Sequence, residues 1–193
     1  MENNKTKMSD KESALLQATL DLVIENGFHD APMSQIAKLA GVSVGTIYVY
    51  FKSKQELINK LYLTIKEDFA AKIFDGYTAE GSVEDVFKKV WYNIAEYKFS
   101  YYKESRFLSL CDNAPMIDED IRQKGLQHLK PLLQLWERGV EEKVIKNVSP
   151  FLLYAYTIYP LNFLIYINNI GEFSIDKKQL DNAFYITWQG IKN

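Results

Sequence analysis

The stretch 36-IAKLAGVSVGTIYVYFKSK-54 has the pattern of two short helices joined by a tight turn. Ile36 begins an apolar helical face, and Gly41 follows it at a position where a left-handed backbone costs glycine little. Ser43 is a good N-cap for a second helix, and Ile47 returns that helix to the core. This layout is typical of a helix-turn-helix, whose second helix enters the major groove of DNA.

The longer pattern A-x-x-A-G-V-S-x-G-T-I-Y-x-Y-F-x-S-K-x-x-L, over residues 37–57, resembles the DNA-binding head of the TetR (TetR/AcrR) family of transcriptional repressors. The resemblance covers about residues 10–60. It implies an all-α chain of about nine helices: an N-terminal three-helix helix-turn-helix DNA-binding domain, then a C-terminal helical ligand-binding and dimerisation bundle. The alternative is an ordinary helical hairpin with a glycine turn.

We expect two domains. Residues 1–56 are predicted to form the helix-turn-helix DNA-binding domain, and residues 57–193 the helical ligand-binding and dimerisation domain. Apolar residues spaced by four predict a long helix from Ser53 to about Ile73, which is long enough to bridge the two domains and is the expected lever between them.

The C-terminal region is predicted to contain five helices. One is expected over about residues 118–143 with a kink at Pro131, because proline removes a backbone donor. Another is expected from Ser149-Pro150 to about residue 167, and Asp176 is expected to open the last helix.

Nine residues are predicted to contact DNA. In the family pattern, the positions that match Tyr48, Tyr50 and Lys54 usually contact phosphates, although core packing is an alternative for Tyr48. Val44 stands where relatives often carry lysine, and it either reads a thymine methyl or only packs. The predicted contacts are Ser34, Gln35, Ser43, Val44, Thr46, Tyr48, Tyr50, Lys52 and Lys54.

The head departs from the family pattern in two respects. Pro32 stands where relatives commonly have a capping Thr or Ser, so Ser34 or Gln35 is expected to supply that phosphate contact. Residues 1–60 hold seven lysines, no arginine and seven acidic residues, so their formal charge is zero. Few neutralised phosphates predict modest non-specific binding and a shallow dependence of affinity on salt.

Aromatic side chains suggest a pocket for a small lipophilic or aromatic effector behind the head. The predicted lining residues are Trp91, Phe107, Cys111, Trp136 and Tyr154. Aromatic residues at helical spacing also fill ordinary cores, which is the alternative for each of them. Cys111 is the only cysteine, so an internal disulfide is excluded and a buried thiol is expected.

The last two helices have too few polar faces for helices exposed in a monomer. The segment 149–171 carries no charged residue and is long enough to span a membrane, but scattered Tyr and Asn side chains argue against that interpretation. Burial between subunits is favoured, with a purely intramolecular core as the alternative. The predicted homodimer contacts are Phe163, Tyr166, Leu180, Phe184, Thr187 and Trp188.

Enzyme chemistry finds no support in the sequence. The two histidines lack metal-ligand spacing, and no Gly-rich phosphate loop or nucleophile motif appears. No cofactor, metal or membrane partner is expected, and the N-terminus lacks the apolar core of a signal peptide, which fits a cytoplasmic protein. Three classes remain: a ligand-responsive repressor on a double-stranded operator, a DNA-binding regulator controlled by a protein partner or without a small-molecule effector, and a helical enzyme or binding module that retains the head.

Overall fold

The computed structural model describes residues 9–112 and 116–193, and these residues form eleven helices and no strand. The all-α class with an N-terminal helix-turn-helix is therefore confirmed for the described residues. The helices are α1 (Asp10–Asn26), α2 (Met33–Leu39), α3 (Val44–Tyr50), α4 (Lys54–Ile73), α5 (Val83–Ser100), α6 (Tyr102–Asp112), α7 (Glu119–Gln127), α8 (Lys130–Glu141), α9 (Pro150–Thr157), α10 (Tyr159–Asn169) and α11 (Lys177–Ile191).

Two helices that we expected to be continuous are each split in two. The segment 118–143 does not kink at Pro131; α7 ends at Gln127 and a new helix begins with this proline in its first turn. Pro160 has the same place at the start of α10, after a break at Ile158. Proline is well tolerated in a first turn, where its missing N–H has no intrahelical partner, and this preference explains both breaks.

The described chain divides into two compact units. The first holds the chain up to residue 66 together with residues 103–125, and the second holds residues 67–102 and 126–193. Helix α4 contributes residues to both units and runs unbroken across the predicted boundary at residue 56. The functional division at that residue stays a prediction.

In the first unit, α1 packs its apolar face inward and ends at a glycine. The Ser9 hydroxyl caps the helix by accepting from the Glu12 N–H at 3.2 Å. Leu15 and Val23 are almost fully buried, and Gly27 with φ 84° lets the chain turn away. Helix α1 packs against α2, and α2 packs against α3, so α1 supports the helix-turn-helix from one side.

Polar contacts join α4 to the segment that leads into α7. Gln55 donates to the Met116 carbonyl at 2.9 Å, and Asn59 donates to the Asp118 carboxylate at 2.7 Å. Within α7, Gly125 lies against the ring of Tyr62, where no side chain would fit. These contacts fix residues 116–125 to the same helix that follows the recognition helix in the chain.

Aromatic rings fill the second unit. Phe87 packs between Trp136 and Trp188 with ring centroids 6.4 and 6.0 Å away, which is the range of ordinary aromatic contacts. The Trp91 indole N–H donates to the Thr157 carbonyl at 2.9 Å and so links α5 to α9.

The stretch Pro150–Asn169 is long and apolar enough to cross a membrane by length and composition alone. No second stretch of the described residues meets this test. Because a core helix of a soluble protein passes it too, the finding is weak evidence for a membrane span.

The close fit at Gly125 predicts a large cost for a single methyl group. In Gly125→Ala, the new Cβ would lie 2.5 Å from Tyr62 Cε1, and the buried ring has no room to retreat. We expect a loss of about 1–3 kcal/mol in the free energy of unfolding, measured by urea denaturation.

The matched control is Gly45→Ala in α3, whose nearest heavy atom is 3.8 Å away. It should leave stability unchanged or raise it by up to about 1 kcal/mol, because alanine favours helix over glycine. A Gly125→Ala chain as stable as the native one would contradict the packing described.

Candidate nucleic-acid interface

The turn between α2 and α3 is fixed by its backbone. Gly41 adopts φ 68°, and the Val42 N–H donates to the Ala37 carbonyl at 3.0 Å. Ser43 then starts α3 with its hydroxyl, which accepts from the Thr46 N–H at 3.1 Å. These bonds shape the turn through contacts within a few residues along the chain.

The inner face of the motif is fully buried and its outer face is open. Ile36, Ala37 and Ile47 have no exposed surface. On the opposite side of α3, Val44 is 48% exposed and Tyr48 is 51% exposed. Core packing is therefore not the role of the Tyr48 side chain in this structure.

The predicted DNA-contact residues lie on or beside this open face. Thr46 is half-buried, and its hydroxyl shares a 2.8 Å hydrogen bond with the Ser43 hydroxyl. Tyr50 and Lys54 are also half-buried. The exposed members of the set are Ser34, Gln35, Ser43, Val44, Tyr48 and Lys52.

The Lys54 ammonium has protein partners. It donates to the Phe28 carbonyl and, at 3.3 Å, to the His29 carbonyl. Desolvation lowers the pKa of Lys54, and the charge of Asp30 partly opposes this. Lys54 therefore ties the start of α4 to the loop after α1, and a phosphate would have to share or replace these carbonyls.

Ser9 belongs to this face although the sequence analysis did not select it. Its hydroxyl donates to the Tyr50 hydroxyl at 3.3 Å, which places the N-terminus of the 17-residue α1 beside the end of α3. A helix N-terminus attracts anions. The sequence indicates that Ser9 caps α1. It does not indicate the contact with Tyr50, because that residue lies 41 positions away.

Ion pairs offset some of the negative charge on α1. Lys60 lies 3.6 Å from Glu12, and Lys103 pairs with Asp21. Lys38 and Lys52 are exposed. The electrostatic attraction of this face for DNA rests on few lysines, as the neutral composition predicts.

The five predicted pocket residues are distributed over both units. Phe107 and Cys111 are fully buried in the first unit, where burial raises the pKa of the Cys111 thiol to about 12. Trp91, Trp136 and Tyr154 lie in the second unit. Trp91 borders a surface cleft of about 440 Å³, lined mainly by apolar residues of α10 and α11.

Half of the predicted dimer contacts prove to be core residues. Phe184, Thr187 and Trp188 are buried within the second unit, so they have little surface left for a second copy. Leu180 is half-buried, whereas Phe163 and Tyr166 are exposed. The apolar stripe on α11 was assigned correctly as a buried face, but the same chain covers it.

Ile186 and Tyr156 are two exposed apolar residues that the predicted set of dimer contacts does not include. They are 70% and 69% exposed and border the same cleft as Phe163. Their only signal in the sequence is that uncharged residues occupy positions on the side of the helix away from the core. No cluster of three or more metal-ligating side chains occurs among the described residues.

Fold and interface together define a helical DNA-binding regulator with a helix-turn-helix head. A family model described as bacterial regulatory proteins, tetR family, matches residues 15–61. A second, described as tetracyclin repressor-like, C-terminal domain, matches residues 83–192, which is more than half of the chain. The chain belongs to the TetR family of transcriptional regulators, and it binds DNA through the helix-turn-helix.

Solved structures share the fold along nearly the whole chain. A TetR family transcription regulator from Marinobacter aquaeolei VT8 has a TM-score of 0.89 at 21% identity, and the match covers 95% of this chain and 96% of that one. The regulator FadR from Bacillus subtilis, in complex with stearoyl-CoA, has a TM-score of 0.67 at 20% identity, over 93% of this chain and 98% of that one. Identities this low show the fold alone.

One curated relative matches this chain over a short stretch only. The fatty acid metabolism regulator protein of Bacillus subtilis (strain 168) is 42% identical over 52 residues. The match spans 27% of this chain and 27% of the relative, so the chain spans about a quarter of that relative's length.

The two lysines that flank Ser53 should respond differently to substitution. Lys52→Met is expected to weaken operator binding and reduce the salt slope by about one, with an unchanged Tm, because the side chain is exposed and is predicted to contact a phosphate. Lys54→Met is expected to lower the free energy of unfolding by about 1 kcal/mol, because two carbonyls lose their donor.

Thermal melts and DNA titrations at several salt concentrations measure both effects. If Lys54→Met melts like the native chain and loses the same affinity as Lys52→Met, Lys54 is a phosphate contact and not a tie within the head.

Proposed function

We propose that this chain is a ligand-responsive transcriptional repressor that binds a near-palindromic operator as a homodimer and is released by a small lipophilic or aromatic effector. The exposed outer face of α3, beside the capped N-terminus of α1, is the observation that carries the DNA-binding part. The N-terminal head, residues 1–56, supplies the contacts, and residues 57–193 supply effector binding and dimerisation. Such a regulator works in the cytoplasm, where its operator is.

Exposed apolar side chains on α9, α10 and α11 support the homodimer. Tyr156, Phe163 and Ile186 each expose more than three fifths of their surface, although large apolar groups of this kind are normally covered. A two-fold interface would pair this surface with its own copy and place two recognition helices a whole number of DNA turns apart. We therefore centre the interface on these residues with Tyr166, in place of Phe184, Thr187 and Trp188.

The proposed lipophilic effector is supported by one structural relative. FadR from Bacillus subtilis has the same fold and is in complex with stearoyl-CoA. The alternative is a regulator of the same fold that responds to a protein partner or has no small-molecule effector. Release of operator DNA by a lipophilic molecule would favour the first, and release only by a protein would favour the second.

Selection from random duplex DNA tests the DNA-binding part directly. The native chain should recover a near-palindrome. Tyr48→Phe should lower affinity about 3- to 10-fold for all recovered sequences, because it removes one hydroxyl from a phosphate contact. Val44→Lys should change the preferred bases instead, because Val44 lies on the exposed outer face of α3 and is proposed to reach the base edges.

A titration in which Tyr48→Phe binds like the native chain would remove Tyr48 from the phosphate contacts. Recovery of no common sequence, or of one without two-fold symmetry, would contradict the proposed operator.

Ile186→Asp tests the homodimer. A carboxylate in the centre of an apolar interface should raise the dimer dissociation constant by about 100-fold or more, because the charge would be buried without a partner. Sedimentation velocity should then show a monomer with native helix content.

The matched control is Leu133→Asp on α8, also a partly exposed apolar residue. It should stay dimeric. A dimeric Ile186→Asp chain, or loss of the dimer in both variants, would contradict an interface centred on Ile186.

A further inference from the structure

Lys66 is a charged residue buried in the first unit. It lies on α4, and only 5% of its surface is exposed. Its ammonium lies 5.4 Å from the centre of the Tyr62 ring, one helical turn away. Phe107 and Cys111, one turn apart on α6, are fully buried in the same unit.

No carboxylate neutralises Lys66 within the described part of the chain. No Asp or Glu oxygen there lies within 4.0 Å of its ammonium, and no described residue accepts a hydrogen bond from it. Asp112 acts on it only at longer range and is itself exposed. Arg122, a second positive charge nearby, already donates to the Cys111 carbonyl at 3.2 and 3.3 Å.

A buried ammonium without an anion is unfavourable. Desolvation lowers the pKa of Lys66, because burial disfavours the charged form of the amine. Methionine or leucine would fill the space without this cost. The lysine is therefore a candidate for binding a group that the chain itself does not provide.

We infer that Lys66 anchors the carboxylate of a singly charged, otherwise apolar effector, bound between α4 and the carboxyl-terminal end of α6. The inference rests on the proposed ligand response and specifies its chemistry. Arg122 is already paired with Glu119 at 3.8 Å and bonded to the Cys111 carbonyl, so Lys66 supplies one positive charge. One positive charge matches one negative charge, whereas a phosphate dianion would leave a negative charge buried. The Tyr62 ring, 5.4 Å from the ammonium, is the aromatic neighbour of this charge, and the apolar part of the molecule would have to displace side chains that are packed there now.

One of the five pocket residues expected from the sequence, Cys111, lies close enough to Lys66 to act on its charge. The Cys111 thiol stays protonated at neutral pH, since its pKa is about 12, so it does not compete with the effector as an anion. Lys66 itself was not selected, because a single lysine on a long helix looks like an exposed residue in the sequence.

The test compares a carboxylate with its uncharged counterpart on the native full-length chain. Dodecanoate should raise the Tm by about 5 °C at a concentration well above its dissociation constant, and 1-dodecanol should bind about 10- to 100-fold more weakly. In Lys66→Met, the two compounds should bind equally weakly. Lys66→Arg keeps the charge and should keep the preference for dodecanoate.

Controls separate anchoring from general effects of charge and folding. Lys124→Met, an exposed lysine of α7, should bind dodecanoate like the native chain. The unliganded Lys66→Met chain should melt at or above the native Tm, because a desolvated charge has been removed. If Lys66→Met fails to fold, the comparison of native chain with Lys66→Gln replaces it, with the same expected loss of preference.

Three results would overturn the inference. The native chain could bind dodecanoate and 1-dodecanol with equal affinity, or the folded Lys66→Met chain could bind dodecanoate as tightly as the native chain. Inorganic phosphate that competes with dodecanoate at the same site would also contradict a site for a single charge.

The failure of the inference and the failure of the proposed function give different results. If dodecanoate binds through Lys66 but leaves the operator complex intact, the anchoring inference holds and ligand-responsive repression fails. If an uncharged lipophilic molecule releases the operator equally from native and Lys66→Met chains, the proposed function holds and the inference fails.

Discussion

The burial of Ile36, Ala37 and Ile47 on the two helices that pack together across the turn at Gly41 is the constraint on which the head depends. Helices α2 and α3 have seven residues each, which is too short for either to be stable alone in water. Burial of these three side chains holds the two helices at one angle. That angle turns Val44 and Tyr48 outward, so the same contacts that stabilise the motif also present its DNA-reading face.

The head was predictable because its determinants are local. A glycine with positive φ and a serine cap act on residues within four positions, and both are visible in the sequence. The continuous helix over residues 118–143 was a wrong prediction for a related reason. The apolar spacing of this segment continues across the break between α7 and α8. Only Pro131 indicates that a new helix begins, and a proline at this position is equally compatible with a kinked helix.

The partners of individual side chains could not be predicted in the same way. Lys54 bonds to carbonyls 25 and 26 positions earlier, and no local pattern encodes that distance. The stripe on α11 raises a different problem. Periodicity shows that Phe184 and Trp188 share a buried face, but it does not show whether the same chain or a second copy covers that face.

The position of Lys66 would connect the proposed effector to the DNA-binding head. Helix α4 begins four residues after α3 ends, and Lys66 lies about three turns along it, within the same compact unit as the head. The first unit would have one arrangement when the protein is free and another when it is bound to DNA. An anion at Lys66 changes the affinity for the operator only if the anion binds these two arrangements with different affinities. Because Asn59 bonds to Asp118 on the segment that leads into α7, a shift of that segment on ligand binding would act on α4 itself. The polar contacts between Asn59 and Asp118 are thus the physical route by which a neutralised Lys66 would alter the placement of the recognition helix.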